Sequence, residues 1–548
     1  MSSSDRHASS SAEKFLANQT SDASLTPKSI FFKDHAHTTP EIDNSFERVL
    51  ILSSFLSPQP IPFRLLLRAA SRRSRWTTKG DVIEVNPGDV GFDAPLPALF
   101  SNRSKLLDIV HRLPGVRVDA LNDSYRVDEE TLFRLLQEQS PEQCFRWKYC
   151  ALIVACRSIP WKYLEPVSFD PSSFFPHIKH TLQACAKELP YLSKHTRIEV
   201  GLSLVEASRF PGMEWKRFAM SQAKIVSTGV HDAWLDSRVA HAECLLNRID
   251  GSMLLAAARL AAVQTRDSNS SSITTEMNHC IAGQEAIQRA LNFIQIEALS
   301  AAEEVLNAWC PLNEIASPME KTILFKKGML LGKLLRFSGR FQESLDHLEA
   351  VQRLAEQPGS IVFDEDLRDF TCDLADTLRE LDRPMSAEMV LRAELRRRTS
   401  SYIPKSGRSL LELSLAEALF AQRFYAEGET LCLSALNCSP CLKFEKLRAY
   451  IILAKIYHMT SNTDKEYSHW VLALEAVNRF HGETFATTRI ILKSICDFAR
   501  RTGVKGLQEQ TQARMSSLAM PEEPCGMKHW ISGIRHWAEY LQNSESPI

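Results

Sequence analysis

A pattern of small and large residues that returns every 38 to 43 positions constrains this chain more than any other feature. Small residues stand at Ala290, Gly332, Ala375 and Ala416, and three positions after each comes a large apolar one: Phe293, Leu335, Leu378 and Leu419. Twelve positions after each anchor comes another small residue, Ala302, Ser344, Ala387 and Gly428, and sixteen after it Leu306, Leu348, Leu391 and Cys432. Ala454, with Tyr457 three later, starts a fifth copy. The apolar residues between recur at i, i+3, i+4 and i+7, the period of a helix that buries one face. Two antiparallel helices approach closely only where small residues meet, and large residues three and four positions away fill the grooves between successive pairs. No such hairpin can bury its apolar face alone, so the repeat predicts a stack of hairpins, a quasi-one-dimensional solenoid.

The same register bears on a possible nucleotide site. GMLLGKLLRFSG, Gly328 to Gly339, puts a Gly-Lys pair behind an earlier glycine. A phosphate loop, G-x-x-x-x-G-K-[ST], needs its glycine spacing to line backbone N–H groups along the phosphates and its hydroxyl to ligate magnesium. Here only three residues separate Gly328 from Gly332, and Leu334 stands at the hydroxyl position. Gly332 is therefore read as a helix-packing residue and Gly339 as the end of that helix. The pattern resembles the tetratricopeptide repeat, whose Leu-Gly, Tyr and Ala positions correspond to Leu331-Gly332, Leu335 and Ser344. The long spacing is similar to extended-loop variants of that family. Clear repeats cover 284–480, inside a solenoid predicted over 141–515, with a C-terminal helix and tail over 516–548.

Residues 1–40 are polar and Ser-rich, without the apolar core of a secretory signal, and predict a disordered tail. Residues 41–140 follow another pattern. FERVLILSSFL (Phe46 to Leu56), PFRLLLRAA (Pro62 to Ala70) and RSKLLDIVHRL (Arg103 to Leu113) read as helices. GVRVDALNDSYRV (Gly115 to Val127) reads as two short strands around Asn122-Asp123, and DEETLFRLLQ (Asp128 to Gln137) as a further helix. No strand is assigned to the polar, Pro/Gly-containing stretch that ends at Pro97. Helices followed by a small β-ribbon describe a winged-helix-like module, so the predicted fold class is all-α: a tetratricopeptide-like helical-hairpin solenoid preceded by that module.

The region from Glu41 to Lys187 is similar to the junction in fungal STAND-type (NB-ARC/TPR) signalling proteins, where a winged helix runs into tetratricopeptide repeats. The residues that carry the resemblance are LILSSFLSPQPIP (Leu50 to Pro62), YRVDEETLFRLL (Tyr125 to Leu136), Trp147, Pro160 and Trp161. No Walker A sequence stands before Glu41 in these residues. The resemblance thus implies an effector-and-sensor half with a regulatory or scaffolding role, not ATPase activity.

Composition narrows the function classes. A net charge of −1 exerts no global pull toward nucleic acid or anionic membrane. The most apolar run, MLLAAARLAAV (Met253 to Val263), contains Arg259 and is far shorter than the roughly 20 residues that cross a bilayer. Thirteen cysteines without a regular framework fit reduced thiols, and assign the cytoplasm, with the nucleus as the alternative. His241-Ala242-Glu243 with Cys438-Ser439-Pro440-Cys441 mimics the zinc deaminase signature, but Asn437 replaces its proline and no sheet surrounds it. Cys432, Cys438, Cys441 and His458 offer half of a structural zinc set, and are read instead as packing thiols with a separate histidine. The expectation is no catalysis, no cofactor and no metal.

The inner face of the repeats is the predicted binding surface. The resemblance to the tetratricopeptide repeat implies that the first helix of each pair lines a concave groove, with outward positions six and three before the anchor and one and four after it. For Gly332 these are Lys326, Met329, Lys333 and Arg336, and for Ala375 they are Asp369, Cys372, Asp376 and Arg379. For Ala454 they include Arg448 and Lys455. A partner protein or an acidic peptide held by these charges is the leading expectation. A second reading is a DNA-associated transcriptional regulator, with Arg68, Arg72, Arg73 and Arg75 of RAASRRSRW on phosphates. A third is an accessory protein of a fungal metabolite pathway, whose partner would be an enzyme.

Overall fold

A computed structural model describes residues 45–92, 96–267, 276–357, 359, 361–400, 407–438, 441–481, 486–518 and 530–545. The expected tail over 1–40 and most of the polar excursion near 267–275 lie outside them. Two compact units share the chain, one holding 45–165 and 170–281, the other 166–169 and 282–545. The helical hairpins that begin at residue 141 are divided between them.

The first unit opens with α1 (Ser45–Ser54), β1 (Ile61–Pro62), α2 (Phe63–Ala70), β2 (Arg73–Trp76), β3 (Val82–Val85), α3 (Leu96–Leu99) and α4 (Arg103–Arg112). Next come β4 (Val116–Asp119), β5 (Ser124–Val127) and α5 (Glu129–Glu138). The two strands expected around Asn122-Asp123 are present, and β1 joins them in an antiparallel sheet of order β1-β5-β4. Asp119 shapes the turn: its carboxylate accepts the N–H groups of Leu121 and Asn122 at 3.1 Å, and Asp123 takes φ +47°. Phe63 and Tyr125 meet as tilted rings, 5.4 Å apart, and are buried like Leu65, Leu66 and Leu106, and Ser53 Oγ lies 2.8 Å from the buried Tyr125 hydroxyl.

The polar stretch before Pro97 is not strand-free. It folds as the antiparallel hairpin β2–β3, with Arg73 opposite Val85 and Trp76 opposite Val82. Its inward positions in β2 are Arg73 and Arg75, so the apolar alternation that marks a half-buried strand is missing from the sequence.

The unit continues as helices α6 (Pro141–Arg157), α7 (Phe175–Ala184), α8 (Lys194–Ala207), α9 (Met213–Ser227), α10 (Ala233–Ile249) and α11 (Met253–Asp267). Helices α8 and α9, and α10 and α11, pair as hairpins. A Cβ on Gly201 of α8 would come within 2.9 Å of Leu235 in α10, the close approach that small residues permit. Helix α12 (Glu276–Gln295) contains the division between the units.

The second unit is the tetratricopeptide-like stack. After α13 (Leu299–Asn307) come the hairpins α14 (Pro318–Phe337) with α15 (Phe341–Glu356) and α16 (Asp364–Glu380) with α17 (Pro384–Ser400). They continue as α18 (Arg408–Ala421) with α19 (Tyr425–Asn437), α20 (Lys443–Met459) with α21 (Thr463–His481), and α22 (Ala486–Thr502) with α23 (Lys505–Ser517). Helix α24 (Ile534–Glu545) ends the described chain.

Gly328 and Gly332 both lie inside α14, not on a loop. A Cβ at Gly332 would stand 2.7 Å from Leu348 Cγ of α15, and Ser344 Oγ donates to the Gly332 carbonyl at 2.7 Å. At this hairpin the anchor and its +12 and +16 partners thus meet as the repeat requires. Every first helix also stops in one way, at a residue seven positions past its anchor with positive φ. These are Glu297, Gly339, Asp382, Arg423 and Ser461, at φ +58° to +82°. The next N–H closes back at 2.8–2.9 Å on the carbonyl of Phe293, Leu335, Leu378, Leu419 or Tyr457, the large residue of the repeat. Gly503 and Val504 repeat the cap at the end of α22, continuing the series one hairpin further.

Candidate functional site

Consecutive first helices touch directly, α14 on α16, α16 on α18 and α18 on α20, and so form one continuous layer, the face expected above to be the inner one. Residues four and seven apart along each helix face the next one, which is why the predicted positions fall together. They are not open to solvent. Arg336, Arg448 and Lys455 are each at most 2% exposed, and Met329, Asp376 and Arg379 are buried. Only Lys326, Lys333 and Asp369 are half-buried.

The charges satisfy one another. Lys326 donates to Asp366; Lys333 Nζ lies 3.5 Å and Arg336 Nη2 3.4 Å from the carboxylate of Asp373. Arg448 reaches from α20 to Asp376 of α16 at 2.6 Å. Arg379 Nη2 stands 3.3 Å from Glu417, whose two oxygens accept from Lys455 at 2.6 and 2.8 Å. Asp369 is held locally by Arg368 at 2.7 Å. Burial alone would raise the Glu417 carboxyl; Lys455 and Arg379 outweigh it and hold it below the usual carboxylate range. Burial in turn lowers the Lys455 ammonium. These shifts pull the pair opposite ways, and the two short bonds to one carboxylate fit the ionised pair. Acidic α16 is therefore the counterpart of basic α14 and α20, and the charges assigned to a partner are engaged inside the repeat.

What lies over this ladder is the chain's own C-terminal segment. Gly533 N–H donates to Glu380 Oε1 at 2.7 Å, and Arg535 Nη2 donates to the Glu380 carbonyl at 2.9 Å. Arg379 Nη1 donates to His536 Nδ1 at 2.6 Å, so the His536 Nε2 proton faces Asp382, 2.8 Å away. Burial, then the Arg379 charge, lowers the His536 imidazole below its ordinary value. Trp537 Nε1 donates to Ser494 of α22 at 2.9 Å, and its ring lies against Trp470, Phe420 and His458. The segment thus contacts α16, α18, α20 and α22. The sequence expected a C-terminal helix; nothing in its periodicity said where it docks.

Beside the segment remains a cavity of about 340 Å³ lined in part by Asp382, Phe420, Arg423, Tyr425, Met459 and Trp537. His458 is engaged here, with Glu466 at 2.9 Å and Tyr540 at 3.1 Å, while Cys432 lies in the hairpin core. Burial pushes the Cys432 thiol up, which suits packing better than metal binding.

In the first unit, the four arginines of the basic cluster part company. Arg68 and Arg73 converge on Glu165 Oε2 at 2.5 and 2.9 Å. Arg75 Nε stands 3.0 Å from both oxygens of Glu199, with its guanidinium 4.0 Å over the Trp161 ring. Arg72 alone is exposed, 3.4 Å from the equally exposed Glu84. Desolvation lowers Arg73 to about 9, with Arg68 adding repulsion. Arg157 is clamped below them, donating to the carbonyls of Ala69, Ser71 and Val85. The cluster read as a phosphate-binding loop is chiefly an internal clamp between β2 and the helices behind it. His241 and Glu243 are buried in α10, and Glu243 pairs with Lys224 and Arg259.

No protein-family profile and no curated protein matches this sequence. Among solved structures the chain is similar to a signal transduction ATPase with numerous domains (STAND) protein with a tetratricopeptide repeat sensor from Pyrococcus horikoshii. The two are 12% identical with a TM-score of 0.44, over 92% of this chain and 71% of that one. No described helix is long and apolar enough to cross a membrane.

Proposed function

We propose that this chain is a non-catalytic interaction scaffold or regulator that holds a partner protein or peptide on the inner face of the α14–α23 repeats. The observation that carries the reading is that this face already holds a polypeptide, the segment 530–545, through a main-chain N–H, charged side chains and aromatic rings. A surface able to orient one backbone in this way has the chemistry to orient another. The α1–β1–α2–α4–β4–β5 arrangement is read as a winged-helix-like module that packs on protein, and the cytoplasm as the place of action. The DNA-associated reading loses the inward-turned Arg68, Arg73 and Arg75, which leaves Arg72 as the exposed member of its cluster.

Site-specific photo-crosslinking tests this. A benzoylphenylalanine at Met459, on the cavity rim, is expected to capture one defined protein from native-cell extract. The same group at Met389, exposed on the second helix α17, is expected to leave it uncaptured. Equal adducts at both positions, or none above background at Met459, would contradict the inner-face assignment.

A further inference from the structure

The C-terminal segment has the properties of a bound ligand as much as of a structural cap. Its entry point is Gly533, at φ +76°, where a Cβ would stand 1.8 Å from Glu417 Oε1 and 2.9 Å from Arg379 Nη2. Only a residue without a side chain can lay its backbone on the Glu417–Arg379–Lys455 cluster and still give its N–H to Glu380. Three further groups read four first helices. Arg535 and His536 take Glu380, Arg379 and Asp382 around the end of α16, Trp537 takes Phe420 of α18 and Ser494 of α22, and Tyr540 takes His458 of α20. Trp530 adds a ring contact, 5.4 Å from Phe444 at the start of α20.

The fit is incomplete. Arg379 Nε is buried beside the segment with no hydrogen-bond acceptor among the described residues, and the cavity of about 340 Å³ persists between Phe420, Met459 and Trp537. That space opens to solvent, so a competing chain can reach the edge of the segment.

We infer that segment 530–545 is a displaceable internal ligand that closes the inner face, and that the partner of this face is a polypeptide segment of the same chemistry. Such a segment presents a positive-φ glycine, a basic pair and an aromatic side chain in the order of Gly533, Arg535, His536 and Trp537. Partner binding and release of the chain's own segment are then one exchange equilibrium. This inference rests on the scaffold reading above and adds to it what the face recognises and what keeps it closed.

The test uses the full chain with a specific protease site placed within 521–527, and a fluorescein-labelled synthetic peptide of residues 528–548 as probe. The uncut chain should bind the probe about a hundredfold more weakly than the cut chain, because covalent attachment holds the resident segment at roughly millimolar effective concentration. The cut chain, its circular dichroism unchanged, should exchange its own fragment for the probe. A Gly533→Asp probe should bind at least about tenfold more weakly, since its carboxylate falls on Glu417, an effect of the size a buried like-charge contact produces.

A cut chain that unfolds, or that keeps its fragment without exchange, would overturn the proposal, because the segment would then be a fixed part of the fold. Equal binding of the probe to cut and uncut chains, or equal affinity of the Gly533→Asp probe, would overturn it as well. Exchange without any partner at Met459 would sink the scaffold reading and leave the internal ligand standing. Capture of a partner by a chain that does not exchange would do the reverse.

Discussion

Lys455→Met is expected to destabilise the second unit by about 3–5 kcal/mol, the range for removing one member of a buried ion pair. The thioether matches the lysine stem in volume but leaves Glu417, 1% exposed, with Arg379 Nη2 at 3.3 Å as its remaining cation. The cost is that of a buried carboxylate left short of one cation more than of a lost bond, so the partner change should repair part of it. Lys455→Met with Glu417→Gln is expected to regain more than half of the loss, since the amide needs no counter-charge. Urea denaturation of the two single variants and the double variant gives the coupling energy directly. Single variants each within about 1 kcal/mol of wild type would mean that the pair is exposed in solution.

The second large effect belongs to the first unit. Arg75→Ala should cost about 3–5 kcal/mol, because it strips Glu199 of the guanidinium that meets both its oxygens and uncovers the Trp161 ring. Arg72→Ala, three residues earlier in the same basic run, should change stability by about 0.5 kcal/mol or less, as expected for a pair exposed by more than 60% on both sides. Thermal scans of both variants, with duplex binding measured at two salt concentrations, separate structural from phosphate-binding roles. Structural arginines would give unequal stabilities and no duplex binding, whereas a phosphate-binding cluster would give stable variants with matched losses of duplex affinity.

These two cases explain how far the sequence could be read. The repeat was legible because it is written in residue size: Gly332 against Leu348 is a distance constraint that the alphabet records at fixed spacing. The stopping signal was not, because Glu297, Asp382, Arg423 and Ser461 all adopt a conformation for which glycine is the usual sign. On the inner face the helical period puts Lys326, Lys333 and Arg336 on one side of α14, facing neighbours of mixed sign. Asp366, Asp373 and Asp376 one repeat later are the complementary rung, and that pairing was present in the spacing. Arg75 was harder. Its partner Glu199 is 124 positions away, and no local pattern links a strand arginine to a carboxylate in a distant helix. The place of the C-terminal helix is equally silent, since Gly533 meets Glu380 across 153 positions of sequence.

Hydrogen–deuterium exchange of the intact chain tests the central claim most directly, since it compares the C-terminal segment with the helices beneath it. The backbone amides of 534–545 should exchange at least about a hundredfold faster than those of α18 and α20, through a local opening that leaves the stack folded. The same protection in the segment as in α18 and α20, lost only as the whole unit unfolds, would contradict an inner face that is closed by a removable ligand.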